Sequence, residues 1–159
     1  MPQKLGVAMN LLAIDPGDKN VGIALMMGHK VWAHTLCPAL ALEYISRTIK
    51  GFEIDELVME EFRLYPNRAM AQAYSTMDTS QMIGAIRWIC NRWGKGGVSV
   101  HFQPASIKIP TRSTMNALHI PELGDTVHAR DACLHLHHRV AQRVGSWERH
   151  PLAHWPPLD

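Results

Sequence analysis

Residues 11–25 read LLAIDPGDKNVGIAL, and this stretch constrains the fold more than any other. Apolar residues run up to Asp15, a Pro-Gly-Asp turn follows, and a second apolar run begins at Val21. A near-continuously apolar strand belongs in the middle of a sheet, covered on both faces. Asp15 therefore closes a buried strand. Either the acid serves the turn, where Asp is a favoured residue, or it holds a metal ion.

The chain on either side of this stretch follows the same logic. Residues 6–15 are expected as a first strand and 21–27 as a second. GHK is a tight turn and VWAHTL a third strand, which makes an antiparallel meander. Pro38 opens a helix with Leu40, Tyr44, Ile45, Thr48 and Ile49 on one face and Gly51 as its stop. ELVMEEF is a short buried strand and RLYPNR a loop. Residues 69–93 carry a long helical pattern whose second half is apolar on more than one side, with Met82, Ile83, Ile86, Trp88, Ile89 and Trp93. VSVHF is a further strand, QPASIKIPTRST a polar connector with room for a short helix, and 126–142 a last helix. The order βββ-α-β-α-β-α predicts an α/β domain: a mixed five-stranded sheet, a three-strand meander plus parallel strands, flanked by helices. Residues 1–142 form that domain. The tail 143–159, rich in proline and aromatics, is expected to be irregular.

At 159 residues the chain is the size of one ordinary domain. Hydrophobic residues make up 47% and charged residues 19%, a globular profile, and the net charge of +2 neither demands nor excludes a nucleic-acid partner. Cys37, Cys90 and Cys133 are odd in number and lack CxxC spacing. They suggest neither a disulfide framework nor a cysteine zinc site, and point to a reducing, cytoplasmic setting. No apolar run approaches the length of a membrane span.

Asp15 and Glu60 each end an apolar strand. A right-handed β-α-β crossover lays the fourth strand parallel to the first and brings both acids to one edge of the sheet. Glu61 has the opposite strand parity, so Glu60 is the favoured acid of the pair. His128 and Asp131, three apart on the last helix, share a face. Carboxylates gathered this closely repel one another, and a divalent cation removes the penalty. Oxygen ligands favour Mg²⁺, or Mn²⁺ as a substitute, over Zn²⁺.

Five segments, in order, carry a resemblance. AIDPGDKNVGIAL resembles the first motif of the RuvC Holliday junction resolvases, VMEEF the second, SQMIG the Q-x-x-G of the helix that follows, QPASIK the segment after the fifth strand, and HARDA the closing H-x-x-D-A. The resemblance spans the chain to about residue 142. It implies an RNase H-like fold, a site for two metal ions held by Asp15, Glu60, His128 and Asp131, and a homodimer that cuts four-way DNA. A compact, phage-encoded relative would look like this, placing it in bacterial or host cytoplasm. The lysine-rich stretch of the family is reduced here to Lys108 and Arg112. The aromatic expected after the second acid is displaced, with Phe62 and Tyr65 both near.

The reading is a Mg²⁺-dependent endonuclease that resolves Holliday junctions by paired cleavage. The alternatives are a nuclease of the same fold acting on flap or fork DNA or on RNA, and a non-catalytic module that binds DNA structure. Lys19, Arg63, Arg68, Lys108 and Arg112 fall in loops near the site edge, either as solvated surface or as phosphate contacts. Phe62 or Tyr65 would stack on an opened base at the branch point. His135 extends the face of His128 and Asp131, which leaves a transition-metal site as another option. His137 and His138 are expected at the surface.

Overall fold

The structure is a computed structural model that describes residues 9–62 and 69–154, with backbone alone over 69–78. Its strands are β1 (Asn10–Asp15), β2 (Val21–Met27), β3 (Lys30–Leu36), β4 (Glu56–Glu60) and β5 (Ser99–Gln103). Its helices are α1 (Pro38–Gly51), α2 (Ala69–Trp93), α3 (Lys108–Ala117) and α4 (Val127–Val144), with one 3₁₀ turn at Ala105–Ile107. The strands form a single sheet in the order β3-β2-β1-β4-β5. β1, β2 and β3 pair antiparallel, whereas β4 lies parallel to both β1 and β5. The mixed five-stranded sheet read from the sequence is the sheet that forms.

Strand parity divides the core in two. Leu12, Ile14, Leu57 and Met59 face α1 and α2, where Ile45, Ile49, Ile86 and Cys90 close over them. Leu11, Ala13, Ala24, Met26 and Val58 face α4 and meet Ala132, Cys133, Leu136 and Val140. Asp15 and Glu60 share parity with Ala13 and Val58, so both carboxylates emerge under α4. α1 is rotated from its expected face: Ala41 is buried and Leu40 is 53% exposed, because Ala41, Ile45, Thr48 and Ile49 make the tighter stripe.

α3 is a ten-residue helix where the sequence suggested a connector. Its Met115, with Ile120, Leu134 and Leu152, forms a third apolar cluster on the outer side of α4, joined by Trp147. Residues 145–154 run back as turns and bends over this cluster. They bury His137, which has no exposed surface and so departs from its expected place; His138 is half-buried, bonded to Thr111 and Gln142. No described helix is long and apolar enough to cross a membrane.

Candidate active site

The turn after Asp15 is tight: a Cβ at Gly17 would sit 2.2 Å from the carbonyl oxygen of Asn20. The chain then re-enters the sheet with Gly22 opposite Asp15. A Cβ at Gly22 would lie 1.9 Å from the backbone oxygen of His128, so only glycine allows the first turn of α4 to rest on β2. Thr126 caps that helix, its hydroxyl accepting from Ala129 N–H at 3.3 Å and bonding to the Thr35 hydroxyl on β3. The start of α4 is thus pinned over the carboxyl end of β1. His128 Nδ1 comes to 2.9 Å from Asp15 Oδ2. Burial pushes the Asp15 carboxyl above its usual range; the bond from His128 opposes this, and the charge of Glu60 adds to it.

Glu60 stands beside this pair at the end of β4. Lys108, the first residue of α3, reaches into the space between the acids. Its Nζ is 2.8 Å from Glu60 Oε2 and 2.9 Å from Asp131 Oδ2. Burial alone would lower the lysine, but the two carboxylates outweigh it and raise its pKa to about 12. Burial likewise works to raise Glu60, and bonds from His135 and Lys108 hold it below its usual range instead. His135 Nε2 is 3.1 Å from Glu60 Oε2, and its Nδ1 is 2.8 Å from Gln103 Oε1. Arg112 forks onto Glu122 at 2.8–3.1 Å and lies 3.8 Å from Asp131.

Asp15, Glu60, His128 and Asp131 are therefore brought to one edge of the sheet by β1, β4 and α4. As placed, no three such side chains among the described residues share a point where one ion would sit. Lys108 occupies the middle, an ammonium bound where a cation is wanted. The donors are hard carboxylate oxygens and an imidazole, which suits Mg²⁺ or Mn²⁺. Asp15 is bonded to the His128 imidazole, and burial together with the charge of Glu60 makes its ionised form costly, a cost that a bound cation would offset. The residues fit divalent cations. A joint site of His128, Asp131 and His135 is not formed: the two rings turn to different acids, Asp15 and Glu60.

Phe62 and Glu61 lie just past β4 and, with Pro16, Thr79 and Ser106, line a cavity of about 200 Å³ that opens beside Glu60. Lys19 is exposed on the turn after β1. Arg63, Tyr65 and Arg68 lie outside the described residues. The role of Lys108 as a link between two acids was not legible from its place in a polar connector. His135 carried one usable signal, its position one turn beyond Asp131 on the same face.

No family model and no curated protein matches the chain. Solved structures do. Thermus thermophilus RuvC in complex with a Holliday junction substrate superposes with a TM-score of 0.63 at 15% identity, over 87% of this chain and 97% of that one. A second Thermus thermophilus RuvC structure gives 0.59 at 15% identity, over 87% and 98%. At that identity the likeness shows the fold, a RuvC-type RNase H-like sheet with its helices.

Proposed function

We propose that the chain is a Mg²⁺-dependent endonuclease that cuts four-way DNA junctions. The observation that carries this reading is the meeting of Asp15, Glu60 and Asp131, from three separate elements, at one edge of a sheet with the RuvC fold. One of the superposed proteins holds a Holliday junction substrate, and the four site residues match the motif positions of that family.

Asp15, Glu60, His128 and Asp131 would hold the two cations. When bound, these supply an activated water and neutralise charge at the scissile phosphate. The chain's own groups do the rest. Asp15 and Glu60 are fixed on strand ends, a stiffer mount than a loop. His128 keeps one nitrogen on Asp15, and its ring is partly exposed, so its other nitrogen is available to exchange a proton with solvent or product. Lys108 bridges Glu60 and Asp131 on the cleft side, and its ammonium is placed to meet phosphate charge. Arg112 and Lys19 supply further phosphate contacts, and Phe62 a surface on which an opened base can stack.

Paired incision calls for two copies related by a two-fold axis. Trp88, 59% exposed on α2, leaves apolar surface for such a contact, and a dimer is expected by light scattering at micromolar concentration. The deciding experiment offers labelled four-way junction, flap, fork and linear duplex to the protein, with Mg²⁺ or with EDTA. Symmetric cutting of the junction in Mg²⁺ alone supports the reading. Cutting of flap or fork only, or binding without cutting, overturns it.

A further inference from the structure

His135 lies on α4 one turn beyond Asp131, facing β4 and β5, and no part of it is exposed. Its neighbours on the buried side of α4 are Ala132 and Leu136. An imidazole there costs more to bury than an aliphatic side chain unless its polar atoms are met. Both are: Nε2 by Glu60 at 3.1 Å and Nδ1 by Gln103 at 2.8 Å. A carboxylate only accepts, so the bond to Glu60 requires the proton on Nε2.

Gln103 fixes the other side of the ring. It ends β5 directly opposite Glu60 in the parallel register, and its backbone oxygen accepts from Glu61 N–H at 2.7 Å. Its side chain is buried, and among the described residues its amide nitrogen has no partner. Turned about its last bond, the same amide would place that nitrogen on His135 Nδ1. The nitrogen would then be satisfied, and a neutral ring would keep its one proton on Nε2, aimed at Glu60. In either orientation the amide holds the ring in place.

Glu60 is a long side chain at a strand end. On the cleft side it is held by Lys108, which it shares with Asp131. A cation or a phosphate entering the cleft competes for those same groups. We infer that His135, with Gln103 behind it, is a positioning residue that holds the Glu60 carboxylate from the buried side while Lys108 and the cleft contacts change. The inference rests on the nuclease reading for the role of Glu60, but it concerns cation binding first and cutting second.

The test measures Mn²⁺ binding by calorimetry alongside junction cleavage. His135→Phe keeps the bulk and removes the donor. Its Mn²⁺ affinity and kcat are expected to fall about 10- to 100-fold, with KM for the junction and the melting temperature close to wild type. His135→Gln, whose amide N–H can still reach Glu60, is expected to recover most of the loss. In a Glu60→Gln background, His135→Phe should cause no further loss of Mn²⁺ affinity, because the two residues act through one bond. Wild-type Mn²⁺ affinity in His135→Phe overturns the inference, as does an equal further loss in the Glu60→Gln background. If His135→Phe does not fold, Gln103→Leu carries the test: weakened Mn²⁺ binding supports the inference and unchanged binding overturns it. A wild-type protein that binds Mn²⁺ yet leaves all DNA intact defeats the nuclease reading alone. One that binds no Mn²⁺ defeats both.

Discussion

Asp15 pits stability against chemistry. Burial raises its pKa, so its ionisation is harder in the folded chain than in the unfolded one, and it costs stability as pH rises past the ordinary carboxylate range. Asp15→Asn removes the charge and keeps an oxygen for His128. In EDTA at neutral pH it is expected to gain about 1 kcal/mol, or roughly 2–4 °C in melting temperature. On the nuclease reading the same variant should still bind four-way DNA, since binding would rest on phosphate contacts elsewhere, while cleavage falls to background. Glu60→Gln and Asp131→Asn should lose cleavage too. Glu61→Gln, past the strand end and outside the ligand set, should keep it. An Asp15→Asn protein that cuts well in Mg²⁺ would return Asp15 to the role of a turn residue.

At the scale of elements, the site depends on how closely α4 approaches the sheet. Gly22 sets that distance, because the nearest atom above it is backbone, the oxygen of His128. A side chain could swing aside; a helix backbone must move as a unit. Gly22→Ala is expected to cost about 1–3 kcal/mol in urea denaturation, the range for overpacked interiors. It should lower cleavage far more than that loss of stability explains, since the same shift carries His128 and Asp131 away from Asp15. Cleavage at the wild-type level in a folded Gly22→Ala protein would show that the approach of α4 does not matter to the chemistry. The far end of the helix is tied down separately, by Arg139 forking onto Glu56 at 2.6 and 3.2 Å.

For the whole molecule, the returning tail couples stability to mild acid. His137 Nδ1 and His150 Nε2 are 3.0 Å apart, Leu152 N–H donates to His150 Nδ1, and Trp147 stacks on His150. Burial lowers the pKa of His137 to about 3 and that of His150 to about 4. Unfolded histidines titrate near 6.5, so below about pH 6.5 the unfolded chain takes up protons that the folded chain refuses. Stability is at its full value above that pH and falls by about 1.4 kcal/mol per pH unit for each histidine on the way down to about pH 4. Melting curves from pH 7 to pH 4.5 should show this slope, and a His137→Phe, His150→Phe double variant should reduce it, leaving the share of half-buried His138, whose pKa burial also lowers. The carboxylates with lowered pKa, Glu56, Glu60 and Glu148, act below this window, so an unchanged slope in the double variant would count against the pair.

The sequence by itself determined the order of the five strands and of α1, α2 and α4, the antiparallel meander, the parallel placement of β4 and the edge of the sheet at which Asp15 and Glu60 emerge. These are local properties, because the period of apolar residues and the turn chemistry between them are written within a few positions of each other. The spacing of His128 and Asp131 was legible for the same reason. Tertiary structure alone decided the rest. Lys108 reads as part of a polar connector until α3 forms and carries it between Glu60 and Asp131. His135 and His137 are both polar residues on one helix. The first is buried because β4 and β5 offer it a carboxylate and an amide, the second because the tail folds back with His150 and Trp147. Whether a polar side chain is buried depends on what elements distant in the chain bring to meet it, and no local pattern records that.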